Sequence, residues 1–146
     1  MYVPYYDVES SSRQDSLVYD IARAINGEYS TIICYGVLAE KAPNSKTRKR
    51  ILEIRSDEVR HFETFSKIYT ALTGRQPKPR QIEPCPEKYR KGLEAAFIDE
   101  QETVDFYLDI IDKTNDPYIR RQFRRAASDE QNHAVWFLRF LMKQGR

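Results

Sequence analysis

Two stretches of this sequence, 72 positions apart, carry the same residues at the same spacing. Ser56-Asp57-Glu58 falls on Ser128-Asp129-Glu130, and His61 falls on His133. Glu28 falls on Glu100, Thr31 on Thr103, Tyr35 on Tyr107 and Lys41 on Lys113. A repeat of this length is one supersecondary unit written twice, so the fold must place two similar units against each other.

The unit is a helical hairpin. From about Arg13 to Lys41 the apolar residues Leu17, Ile21, Ala24, Ile25, Ile32, Tyr35 and Leu38 recur at helical spacing. Ala42-Pro43-Asn44-Ser45 breaks the run. A second helix is expected from about Ser45 to Thr73, with Gly74 just past its end. Pro77, Pro79, Pro84 and Pro86 then exclude helix and central strand alike. A third helix is expected over about 87–113. Asn115-Asp116-Pro117 reads as turn, N-cap and first helical residue of a fourth helix ending near Lys143. Strand patterns are absent. Residues 1–12 are rich in tyrosine and serine without helical period and read as a flexible tail, leaving 13–146 as one domain. The expected fold is an all-α antiparallel four-helix bundle, two tight hairpins joined by one long crossover.

Height within each hairpin singles out six residues. Glu28 lies 15 residues before Pro43 and Glu58 lies 15 residues after it. Positions equidistant from a tight turn share a level, here roughly 22 Å from it. Glu100 and Glu130 stand in the same relation to Asn115. If the hairpins pack about an approximate two-fold axis, all four carboxylates meet in one layer. Within each Glu-x-x-His the two residues share a helix face, so His61 and His133 point into that layer. Four glutamates can neutralise two divalent cations, and some can bridge them. Mixed nitrogen and oxygen ligands suit iron or manganese and disfavour calcium. The alternative is a duplicated hairpin that has lost its metal.

With these residues the chain resembles the ferritin-like superfamily, and within it the rubrerythrin-like di-iron carboxylate proteins, over roughly residues 15–143. The resemblance implies that Glu28 and Glu100 are single-glutamate ligands, with Glu58–His61 and Glu130–His133 as paired ligands. The same six would be the catalytic residues. Two departures stand out. Rubrerythrins proper carry a further glutamate one turn before the third-helix ligand, where this chain has Phe97. They also carry a rubredoxin-type domain, and two cysteines cannot build its four-cysteine centre. The resemblance implies two iron ions, with manganese or a mixed pair open, peroxide or oxygen as substrate, an external electron-donor protein and a homodimer. Iron binding or detoxification without redox turnover is the alternative, as is a structural or interaction bundle.

Neighbouring residues admit two readings each. Tyr35 and Tyr107 lie seven residues after a ligand glutamate, where the phenols can reach a carboxylate or simply fill the core. Asp57 and Asp129 precede the histidines by four residues and can accept the non-ligating ring N–H, or face solvent. Cys34 reads as a core or interface residue, and Cys85 has no visible partner. Lys46–Arg50 and Arg120, Arg121, Arg124 and Arg125 read as a solvated end of the bundle, with an anionic partner possible there. Phe62, Phe65, Trp136, Phe137 and Phe140 read as core or dimer contact. A net charge of +2 argues against a nucleic-acid binder. No apolar run approaches membrane-spanning length and the N-terminus lacks signal-peptide character, so a reducing cytoplasm is the expected location.

Overall fold

The computed structural model describes the backbone of residues 5–144 and the side chains of residues 12–144; Met1–Pro4, part of the expected tail, and residues 145–146 lie outside the described residues. Four helices follow one another: α1 (Tyr5–Glu40), α2 (Ser45–Thr73), α3 (Tyr89–Asp112) and α4 (Pro117–Gln144). Among the described residues there is no strand. α1 starts at Tyr5, well before the Arg13 that periodicity gives. Apolar period reports a helix only where it buries a face, and no proline or glycine between Pro4 and Gly27 stops the chain from extending the helix.

The ends are set by local chemistry. Asn44 caps α2, its side chain accepting from the Thr47 N–H at 2.8 Å. Asp116 caps α4, its Oδ1 accepting from the N–H groups of Tyr118 and Ile119 at 2.9 and 3.1 Å. Gly74 closes α2 in the left-handed region at φ 72°, where a side chain would be strained. The basic clusters are not simply solvated. Arg48 donates to the carbonyls of Ala39 and Glu40, and its repeat partner Arg120 donates to those of Ile111 and Thr114. Each arginine satisfies the terminal carbonyls of the preceding helix, which also favour positive charge.

α1 packs chiefly on α2, and α3 on α4; the two hairpins then meet through α1 on α3 and α2 on α4. Gly92 marks a tight approach between hairpins, because a Cβ there would stand 2.6 Å from Leu38 Cδ1. The apolar interior comes in two blocks. One gathers Ile21, Ile25, Phe65, Ile110 and Phe123 near one end. The other gathers Leu38, Ile51, Ile54, Leu93 and Phe137 near the other. Phe65, Phe137 and Phe140 are core, whereas Phe62, Trp136 and Phe97 are partly buried at its margin. The long crossover, residues 75–88, runs back along α1. The Arg80 N–H donates to Asn26 Oδ1 at 3.1 Å and the Ile82 N–H to Ser30 Oγ at 2.8 Å.

Phe123 is fully buried, stacked on Phe65 at 4.2 Å between ring centroids and edge-on to Tyr107 at 5.4 Å. Phe123→Ala should therefore destabilise the chain by about 3–5 kcal/mol, as large-to-small changes in packed cores do. Urea unfolding measures it. A loss under about 1 kcal/mol would mean that the aromatic stack does not support the bundle.

Candidate metal centre

Between the two apolar blocks lies a layer of charge. Glu28, Glu58, Glu100, Glu130, His61 and His133 are each no more than 4% exposed. Their side chains form two groups, Glu28–Glu58–His61–Glu130 and Glu58–Glu100–Glu130–His133, whose ligand atoms lie within 4.8 Å of one another. All six residues singled out by the repeat are thus brought together. Glu58 and Glu130 are common to both groups and come from different hairpins. Two cations held here could each take one histidine, one private glutamate and two shared carboxylates.

The orientation of the polar atoms fits that use. His61 Nδ1 lies 3.2 to 3.6 Å from oxygens of Glu28, Glu58 and Glu130. His133 Nδ1 lies 3.1 to 3.8 Å from oxygens of Glu58, Glu100 and Glu130. Neither nitrogen makes a hydrogen bond, and one oxygen of each glutamate is likewise buried without a partner. Buried polar atoms without partners are rare, and six converging in one layer point to a shared partner such as a cation.

The other ring nitrogen of each histidine is committed. His61 Nε2 lies 2.8 Å from Asp129 Oδ2, and His133 Nε2 lies 2.8 Å from Asp57 Oδ2. A carboxylate only accepts, so Nε2 carries the proton and Nδ1 is left to face the layer. Both aspartates therefore face histidines rather than solvent alone. The pairing is crossed, however: each aspartate serves the histidine of the other hairpin. Arg60 joins the two pairs, donating to Asp57 at 3.1 Å and to Asp129 at 2.9 Å. Its repeat position is Asn132, so the repeat gives no signal for this contact.

The tyrosines also cross. The Tyr35 hydroxyl donates to Glu100 at 2.5 Å, and the Tyr107 hydroxyl donates to Glu28. Burial first, and then the nearby carboxylates, push both phenols well above their ordinary range, so they stay protonated donors. Glu28, Tyr35 and Tyr107 border a cavity of about 880 Å³ between α1 and α3, walled on its outer side by crossover residues including Arg80 and Ile82.

The expectation for the cysteines is overturned. Cys34 and Cys85 form a disulfide, with Cα atoms 5.2 Å apart and a separation of 51 positions in sequence. The crossover folding back along α1 creates the encounter, and neither helical periodicity nor the repeat reports on it.

Electrostatics without a cation follow from crowding. Burial, then Glu28 and Glu100, push the Glu58 carboxyl up to about 8. Burial, then Glu58, Glu100 and Glu28, push Glu130 well up. Burial opposes charge on the imidazoles, yet Asp129 and Glu28 outweigh it and raise His61 to about 10. Glu100 and Glu58 do the same for His133, to about 11.

Residues 91–145 match the family model described as Rubrerythrin. A protein of Bacillus subtilis (strain 168), described as "Uncharacterized protein YhjR", is 49% identical over 145 residues, covering 99% of this chain and 100% of that one. A structure of ferritin-like, diiron-carboxylate proteins from Bacillus anthracis str. Ames is similar with TM-score 0.78 and 24% identity, over 88% of this chain and 97% of that one. The Desulfovibrio desulfuricans bacterioferritin is similar with TM-score 0.76 and 18% identity, over 90% and 81%. At these identities the two structures establish the shared four-helix fold.

The raised values give the metal-free chain a definite pH dependence. A group whose folded pKa lies above its unfolded value contributes stability that is full below the unfolded value and is lost as pH rises through the folded one. For Glu58 that window runs from 4.5 to about 8. For His61 and His133 it runs from 6.5 to about 10 and about 11. The chelated chain should therefore have a higher Tm at pH 6 than at pH 9, read by circular dichroism at both values. The metal-loaded chain should show the opposite trend on further acidification, because protonating the ligands releases the cations. A chelated chain that gains stability from pH 6 to pH 9 would show that the layer is not buried as described.

Proposed function

The chain belongs to the rubrerythrin-like, ferritin-like family of di-iron carboxylate proteins, and from that premise we propose that it is a di-iron oxidoreductase reducing peroxide or oxygen with electrons from an outside donor. The observation that carries the reading is the pair of overlapping four-residue groups sharing Glu58 and Glu130, with their inward atoms buried and unpartnered. In this reading Glu28 and His61 would hold one iron and Glu100 and His133 the other, with Glu58 and Glu130 available to both. Bound iron would supply the one-electron steps, two ions together matching the two electrons that peroxide takes up.

The chain's own residues do the rest. Asp129 and Asp57 fix each imidazole with its proton on Nε2, so that Nδ1 offers a lone pair to the layer. Tyr35 and Tyr107 hold Glu100 and Glu28 by donated hydrogen bonds, which keep those carboxylates aimed. The apolar blocks on both sides exclude water and strengthen each of these contacts. The cavity between α1 and α3 admits peroxide or oxygen beside Glu28 and Tyr107. Phe97, where rubrerythrins proper have a glutamate, leaves the chain with one carboxylate fewer than they have, and a slower or different reaction follows from it. A cytoplasmic location and a homodimer complete the reading. No described helix is long and apolar enough to cross a membrane.

Two measurements test it. The purified chain should hold two iron ions, and His61→Ala/His133→Ala should fall well below two; unchanged metal content would rule out these ligands. Stopped-flow mixing of the di-ferrous chain with hydrogen peroxide should show oxidation in seconds, whereas no reaction over minutes would favour the non-redox alternatives. Asp129→Asn should weaken metal binding by about 10–100-fold, the usual effect of losing a carboxylate that orients a metal-bound histidine. Competition with a metallochromic chelator gives that ratio, and wild-type affinity would show that Asp129 does not orient His61.

A further inference from the structure

The crossover disulfide joins α1 to the crossover, and its Cys34 end borders the cavity that Glu28 also lines. Cys34 lies on α1, six residues after Glu28 and so about 9 Å along the helix axis. It directly precedes Tyr35, whose hydroxyl donates to Glu100. Cys34 borders the same cavity as Glu28, Tyr35 and Tyr107. Both cysteines are half-buried. They are all the cysteine that the sequence contains.

A purely structural cross-link has no need of this position. It would stabilise the chain by closing a loop wherever it fell. In a reducing compartment the disulfides that occur are mostly catalytic or redox-sensing. The electron count also matches: a cysteine pair cycles two electrons, and two ferric ions reduced to ferrous take up two.

We propose that Cys34–Cys85 is a redox-active pair through which a dithiol protein of thioredoxin type delivers electrons to the di-iron centre. The proposal rests on the oxidoreductase reading above and supplies its donor. The donor's thiolate attacks Cys34 Sγ, forming a mixed disulfide and releasing Cys85 as the thiolate. Gln81 Nε2 lies 3.6 Å from Cys85 Sγ and donates to it, which favours Cys85 as the leaving sulfur. The donor's second thiol then attacks the mixed disulfide, so the donor leaves as a disulfide and Cys34 and Cys85 are both reduced. When the pair closes again, its sulfurs release two protons and two electrons, which two ferric ions held by the layer residues would take up. Tyr35 spans the interval between Cys34 and Glu100.

The test uses thioredoxin, thioredoxin reductase and NADPH without oxygen or peroxide. Thiols are counted by alkylation and mass spectrometry, and iron is followed by its ferric absorption. The metal-free, disulfide-bonded chain should take up one equivalent of NADPH and expose two alkylatable thiols. The di-ferric chain should take up two equivalents and become di-ferrous. Cys34→Ser/Cys85→Ser, and wild-type chain reduced and alkylated before iron loading, should both stay ferric, with reduction at least about tenfold slower. The alkylated chain guards against misfolding of the double variant. The proposal is overturned if the metal-free disulfide resists the donor. It is equally overturned if thiols form while iron stays ferric, or if the blocked chains are reduced at the wild-type rate. Because peroxide is absent, failure of the peroxide reading is seen separately in the stopped-flow experiment.

Discussion

Four carboxylates and two imidazoles share one layer from which water is excluded, and the rest of the molecule is arranged around that constraint. Glu28, Glu58, Glu100 and Glu130 are 1–2% exposed, so each charge must be met inside the protein. For Glu58 and Glu130 desolvation favours the protonated form, and repulsion from the neighbouring carboxylates adds to it. The histidines and the tyrosine hydroxyls answer part of the charge, and two cations would answer the remainder. The layer also divides the apolar core, which explains why two separate blocks, one around Phe123 and one around Phe137, are needed to hold the helices together.

Precision in the layer comes from contacts that cross between hairpins. Asp129 reaches His61, Asp57 reaches His133, Tyr35 reaches Glu100 and Tyr107 reaches Glu28. Each contact fixes a ligand side chain from the opposite unit, so hairpin packing and side-chain aim are set together. Arg60 adds a link on the outer side, its guanidinium spanning both aspartates. Half of its side chain is exposed, so its effect lies in orientation more than in stability.

The helices, the single crossover and the six layer residues were legible in the sequence because periodicity and the repeat are local signals. Glu-x-x-His occurring twice at equal height leaves few other geometries. Asp57 and Asp129 were legible as partners of histidine, but the sequence neighbour suggested the same helix, whereas the packing pairs them across the bundle. Arg60 was missed because only one copy of the repeat carries it. In the sequence Arg48 and Arg120 read as solvated because a helix start looks exposed until the preceding helix end is placed beside it. The Cys34–Cys85 bond depends on where the crossover runs, and four prolines state only what that segment cannot be. The beginning of α1 was missed for a different reason: a helix extending past its packed region carries no apolar period.

The shared carboxylates have an ancestral implication. Neither hairpin alone supplies a complete set, since each four-residue group borrows from the other unit. A single hairpin could complete the layer only by pairing with a copy of itself about a two-fold axis. Such a pair would contain every group found here and would be subject to dilution. Joining the copies through the crossover makes their meeting intramolecular and independent of protein concentration. It also releases them from identity, so that an arginine can stand at position 60 and an asparagine at 132. The two halves of the layer, born equivalent, are then free to become chemically different.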